Sequence, residues 1–180
     1  MKEHGFGSMG TMILLITAAV LAAVIFLMMG TDLVFPPSYS KPAGNKVIEG
    51  DAYTFVQEGR SISVFREDEI VWELPSDVLA QDYLVEDIDG DGRSDLLILC
   101  WKRGRYGKQR PTWVKSDEIS WSQHIFVYDI ADDGIAPKWM ASDIGVHAAS
   151  MEFKDGKLMI TGTDGNITGW KWVSWGFEKL

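Results

Sequence analysis

The chain has 180 residues and a mass of 20.1 kDa, is 46% hydrophobic and 24% charged, and carries eight Trp, eight Phe and five Tyr. That leaves room for one compact domain plus an attachment segment, and excludes a second full-sized domain or a disordered tail. A net charge of −9 and a pI near 4.7 argue against a nucleic-acid partner, because duplex binding rests on cations that neutralise phosphates. The single cysteine, Cys100, excludes an intramolecular disulfide.

Residues 1–11 read as a short N-terminal tail and residues 12–30 as a transmembrane signal-anchor. The run 12–29 has no charged residue and holds ten Ile, Leu, Val or Phe. With its flanking glycines, Gly10 and Gly30, it makes a helix roughly 31 Å long, enough for a hydrocarbon core of about 30 Å. Secretory h-regions run about 7 to 15 residues and end in a small-x-small cleavage site, so the longer run favours retention over cleavage. Lys2 precedes the helix and Asp32 follows it, which favours an N-terminus inside and a folded part outside the cytoplasm. Residues 31–46 carry three of the six prolines together with Gly, Ser and Asn and read as a linker.

From residue 47 to 180 short alternating or fully apolar stretches are separated by Gly, Asp and Asn turns, the pattern of an all-β domain. Candidate strands are 53–57, 61–66, 70–74, 83–87, 95–101, 122–130, 135–141, 148–153, 157–163, 167–173 and 176–180. A weak internal repeat of 62 to 67 residues places Phe65 on Tyr128, Trp72 on Trp139 and Gly92 on Gly156, with a third start at residue 167. Three strands, a turn and a fourth strand at that period suit propeller blades. About eleven strands make two to three four-stranded blades, too few for a closed ring of about four to eight. The expected fold is therefore a partial propeller or a β-sandwich. A protomer that completes a ring with copies of itself, a homo-oligomer, is a further form that hides its strand edges.

The segment Asp87-Ile88-Asp89-Gly90-Asp91-Gly92-Arg93-Ser94-Asp95 puts carboxylates on alternate residues of a tight loop. Calcium takes six to eight oxygens at about 2.3 to 2.6 Å. Asp87, Asp89 and Asp91 would supply side-chain oxygens, Arg93 a main-chain carbonyl, and Asp95 a carboxylate directly or through water. The twelfth position, where a helix-loop-helix hand has a bidentate Glu, is Ile98, and apolar strands flank the loop. A solvated acidic turn is the plain alternative.

With strands on both sides, the segment resembles the FG-GAP or integrin-α-like β-propeller repeats, whose calcium loop DxDGDGxxD joins two strands of a blade. Asp87, Asp89, Asp91 and Asp95 match that pattern. The likeness is close over 83–99 and weak over the rest of 52–180. The family's Phe-Gly and Gly-Ala-Pro signatures are not evident, and the second repeat, at Asp155-Gly156, lacks the carboxylates. The resemblance therefore implies one calcium site.

Residues 102–115 contain Lys102, Arg103, Arg105, Lys108, Arg110 and Lys115 and no acid, a local charge of +6 that leaves −15 on the remainder. With Tyr106 and the flanking Trp101 and Trp113, this loop suits an anionic envelope polymer, a lipid headgroup surface or a partner protein. Alternatively the cations pair with the acidic remainder. No nucleophile elbow, P-loop or dinucleotide fingerprint is present. The sequence reads as a membrane-anchored, calcium-binding, non-catalytic module at the cell envelope. The alternatives are a subunit of an enzyme complex that makes or modifies an envelope polymer, and an assembly protein.

Overall fold

The computed structural model describes residues 6–29, 36–37, 41–104, 115–141 and 144–180. The chain divides into two units, Met1–Pro37 and Ser38–Leu180.

The first unit holds one helix, α1 (Phe6–Met29), of 24 residues, which rises about 36 Å at 1.5 Å per residue. Its window Gly10–Leu27 is long and apolar enough to cross a membrane and has no buried residue within the unit. The one hydroxyl in the middle of that window is satisfied locally. Thr17 Oγ1 donates back to the carbonyls of Leu14 at 2.9 Å and Ile13 at 3.0 Å, which would leave this hydroxyl satisfied in a hydrocarbon environment.

The second unit is all β. Its twelve strands among the described residues are β1 (Lys46–Glu49), β2 (Thr54–Glu58), β3 (Ser61–Arg66), β4 (Glu69–Glu73), β5 (Val78–Glu86), β6 (Asp95–Lys102), β7 (Ser122–Ala131), β8 (Gly134–Met140), β9 (Ala148–Lys154), β10 (Lys157–Gly162), β11 (Ile167–Val173) and β12 (Gly176–Lys179). They form three antiparallel four-stranded meanders, β1 to β4, β5 to β8 and β9 to β12. This is the upper end of the expected two to three blades. The added strand is β1, which lies where the linker was expected to end. It pairs with β2 from Lys46 opposite Gln57 to Glu49 opposite Thr54.

The internal repeat maps onto this order. Its aligned segments fall on the third and fourth strands of one sheet and the first and second of the next. The turn that stands in for the acidic loop in the third sheet is two residues long. Asp155 and Gly156 both have positive φ, 51° and 70°, the primed hairpin geometry that fits the twist of two adjoining strands. Such a turn has no length to wrap an ion, which explains why one acidic loop is present rather than several.

The sheets stack with the second in the middle, so β6 is buried along both faces. Leu96, Ile98 and Cys100 point into one core with Phe55, Ile62, Val64 and Tyr83. Leu97 and Leu99 point into another with Ile125, Val127, Met151, Leu158 and Ile160. Each fully buried aliphatic side chain contributes roughly 1.5 to 3 kcal/mol, so the continuous apolar run 96–99 explains the central position of this strand.

Of the four register shifts among the described strands, two position polar side chains that matter below. In β5 the register shifts between Ala80 and Asp82 opposite β6, leaving Gln81 as the extra residue. In β8 it shifts so that Val127 faces Trp139 and Tyr128 faces Pro137, leaving Lys138 as the extra residue. Bulges bend a strand and re-aim a side chain. Pro137 is tolerated because β8 is the edge strand of its sheet.

Candidate metal centre

The loop between β5 and β6 folds on itself through its own acids. Asp87 Oδ1 accepts from the N–H groups of Gly90 at 2.8 Å and Asp91 at 3.2 Å, and Oδ2 accepts from Gly92 N–H at 3.0 Å. Asp89 Oδ1 accepts from Asp91 N–H at 3.3 Å and Asp91 Oδ1 from Arg93 N–H at 2.8 Å. Gly90 and Gly92 have φ of 77° and 85°, a left-handed backbone that a side-chain-bearing residue adopts only at a cost. Ile88, between the first two acids, is buried in the core between the second and third sheets. That apolar plug fixes the loop to the scaffold.

One carboxylate oxygen from each of Asp87, Asp89 and Asp91 lies within 4.8 Å of the others. Three hard anionic oxygens at that spacing suit a hard cation such as calcium or magnesium. The remaining expected members are arranged differently. Asp95, the first residue of β6, is buried, and its Oδ1 takes the ammonium of Lys138 at 2.8 Å while the same ammonium reaches Asp89 Oδ2 at 2.7 Å. Asp95 Oδ2 is buried without a hydrogen-bond partner. The Arg93 guanidinium turns back to Asp91 Oδ2 at 2.8 Å and to Asp129 Oδ1 at 3.6 Å. Asp129 sits opposite Asp95 in the β6–β7 register.

The electrostatics follow from these contacts. Burial raises the Asp95 carboxyl above the usual carboxylate range, and the Lys138 hydrogen bond only partly opposes it. Burial would lower the Lys138 ammonium, but its hydrogen bonds to Asp89 and Asp95 outweigh that and the net direction is upward. Arg93 holds the exposed Asp91 carboxyl below the usual range. Lys138, Asp129 and the positioning role of Ile88 were not read from the sequence. Pro137 inside a candidate strand is the signal that could have found the Lys138 bulge.

The basic loop joins β6 to β7, so it leaves the opposite end of β6 from the acidic loop. Over the seven steps between the first and last of its eight residues, at about 3.4 Å each, the two ends are roughly 24 Å apart. Arg105, Tyr106, Lys108 and Arg110 lie outside the described residues. At its base, Lys102 pairs with Asp77 at 3.3 Å, and the Arg103 guanidinium stacks on the Trp121 ring at 4.8 Å. Gly104 and Glu118 close the stem, Glu118 N–H donating to Gly104 O at 3.0 Å. Lys115 lies beyond the undescribed stretch and is exposed. His124, buried in β7, is held between Ala141 O and Ser122 Oγ, each at 2.8 Å, which suits a structural histidine.

No family model, no curated protein and no solved structure matches this chain.

Proposed function

We propose that the chain is a single-pass membrane protein whose extracytoplasmic β-repeat domain binds calcium at the loop 87–95, as the FG-GAP repeats it resembles do, and presents its basic loop to an anionic envelope component or a partner protein. The observation that carries this reading is the convergence of Asp87, Asp89 and Asp91 within 4.8 Å on a loop between two strands of a stacked antiparallel sheet. The apolar helix α1 supports the anchor. Lys102 and Arg103 hold the stem of the loop, and the ligand-binding set is Lys102, Arg103, Arg105, Tyr106, Lys108, Arg110 and Lys115.

Thermal unfolding of the full-length chain in detergent, with calcium and with a chelator, tests the metal site. Calcium at about 100-fold above its dissociation constant adds roughly 2.7 kcal/mol, which for a domain of this size raises the melting temperature by about 8 to 13 °C. Asp87→Asn with Asp91→Asn should abolish the shift. A wild-type chain whose melting temperature does not move with calcium refutes the site. Capture of anionic polymers or membrane partners, lost when Arg105, Lys108 and Arg110 are neutralised, tests the loop.

One observation favours a second reading, an assembly role. The outward faces of the first and third sheets expose Val47, Ile70, Ile167 and Leu180, apolar groups that a neighbouring blade would cover. A monodisperse monomer in detergent excludes it.

A further inference from the structure

Among the described residues, Lys138 is the cation that links the acidic loop to β6. It arrives from β8, 49 residues from Asp89 and 43 from Asp95 in sequence, and the bulge that leaves it unpaired in the ladder turns it onto the carboxylates. Its ammonium binds one oxygen of each, and its side chain is 19% exposed. The Trp172 ring lies 5.6 Å from the ammonium, giving the charge a second favourable surface. Asp95 is 2% exposed in its side chain, faces this ammonium, and keeps Oδ2 without a hydrogen-bond partner. The group is thus arranged around a positive charge, supplied by the chain itself, that reaches two of the four carboxylates named for calcium.

We propose that Lys138 is a tethered competitor for the cation of the loop 87–95: its ammonium and a divalent ion contend for Asp89 and Asp95, so that calcium binds only by displacing it. This rests on the calcium reading of the loop and adds to it what sets the affinity. A fixed positive charge a few Å from a divalent ion opposes binding even in a high dielectric. The ion must also win two carboxylate oxygens already engaged in short charge-assisted hydrogen bonds. Such a site responds at high calcium, in the range of about 10⁻⁴ to 10⁻³ M found for extracellular modules. On displacement, Lys138 retains the Trp172 face as a resting place, so metal binding is coupled to packing between the second and third sheets.

The test is calcium titration by calorimetry on the full-length chain in detergent, comparing wild type, Lys138→Gln and Lys138→Arg. Glutamine keeps a donor for Asp89 and Asp95 without the charge, and arginine keeps the charge. The expected result is a dissociation constant at least about tenfold tighter in Lys138→Gln and within about threefold of wild type in Lys138→Arg. Equal affinities in wild type and Lys138→Gln overturn the competitor role and leave the calcium site standing. No calcium binding by either protein removes the site and the competitor together. Should Lys138→Gln fail to fold, a wild-type structure with calcium bound decides: Lys138 off both oxygens supports the proposal, and Lys138 still on Asp89 and Asp95 beside the ion overturns it.

Discussion

Replacing Gln81 by Leu would isolate the side-chain contact that joins the second and third sheets. As the bulged residue of β5, Gln81 has a main-chain carbonyl that the β6 ladder does not use. It accepts instead from Ala43 N–H at 2.7 Å and Gln57 Nε2 at 3.3 Å, on the first-sheet side. The side chain turns the other way. Its Oε1 accepts from Trp101 Nε1 at 2.8 Å and Gln123 Nε2 at 2.9 Å, and its Nε2 donates to Ala148 O and Ala149 O, both at 3.1 Å. Leucine has a similar volume and removes all four side-chain bonds. Gln123 Nε2 keeps Ala148 O at 2.8 Å, and water can reach the exposed Ala149, so these two losses are small. The Trp101 indole, 1% exposed, loses its Gln81 acceptor where water cannot replace it, at about 1 to 3 kcal/mol. With about 1 kcal/mol for the remaining bonds, Gln81→Leu should cost about 2 to 4 kcal/mol in urea unfolding followed by circular dichroism. A double-mutant cycle with Trp101→Phe, which has no indole N–H, should return a coupling of about 1 to 2 kcal/mol. If Gln81→Leu costs as much in the Trp101→Phe background as in wild type, the indole bond is not the source of the effect.

Two further outcomes follow from the cores. Burial pushes the Tyr83 phenol up to about 12, and its hydroxyl lies 2.8 Å from Phe55 O and 3.1 Å from Lys46 O. The fold therefore favours the neutral phenol. That contribution is complete below the unfolded value of about 10 and is lost as pH climbs from there toward 12. Alkaline unfolding should be shallower across that window in Tyr83→Phe, and identical alkaline curves would count against the assignment. Leu97→Ala empties part of the core between the second and third sheets at about 2 to 5 kcal/mol, whereas Val47→Ala on the exposed outer face should stay within about 0.5 kcal/mol. Urea midpoints separate the two, and comparable losses would mean that the burial pattern is wrong.

Period-2 alternation made most strands legible, because one face of each outer sheet meets a core and the other meets solvent. It failed where the chain departs from that period. Ala80-Gln81-Asp82 contains a bulge, so the first half of β5 showed no alternation, and only its later half, from Tyr83, read as a strand. Lys46-Val47-Ile48-Glu49 follows a Pro- and Gly-rich stretch, and its alternation is so short that, although 47 opens the expected β domain, no strand was expected before residue 53. The run 96–99 was legible as a buried strand because it is apolar on both faces, which only a strand in the middle of a stack requires. The sequence repeat starts at the third strand of a sheet, since hairpin turns and the longer passages between sheets look alike without coordinates.

The acidic loop was legible for a different reason: its carboxylates are local, two residues apart, and their turn is encoded by Gly90 and Gly92. Asp95 shares the motif, yet its main partner arrives from 43 residues away. Asp129 comes in through strand register alone. The charge of the basic loop could be counted from the sequence, whereas the pairing of Lys102 with Asp77 could not, because it depends on the end of β6 facing the chain that leads into β5.

The two loops on β6 differ in how far they depend on that strand. The acidic loop is anchored at both ends, by Ile88 in one core and by Asp95 at the first residue of β6, so an ion held there adds to the stability of the most buried element in the unit. The stem of the basic loop leaves the other end, roughly 24 Å away, farther than most screened charge effects carry between those two strand ends, since the Debye length is about 8 Å at physiological salt. β6 itself, packed on both faces, offers no second arrangement through which one end could switch the other. On the calcium reading proposed above, this geometry favours an ion that stabilises the platform carrying the basic loop over an ion that signals to it, and the Lys138 proposal places the control of its affinity next to the loop itself.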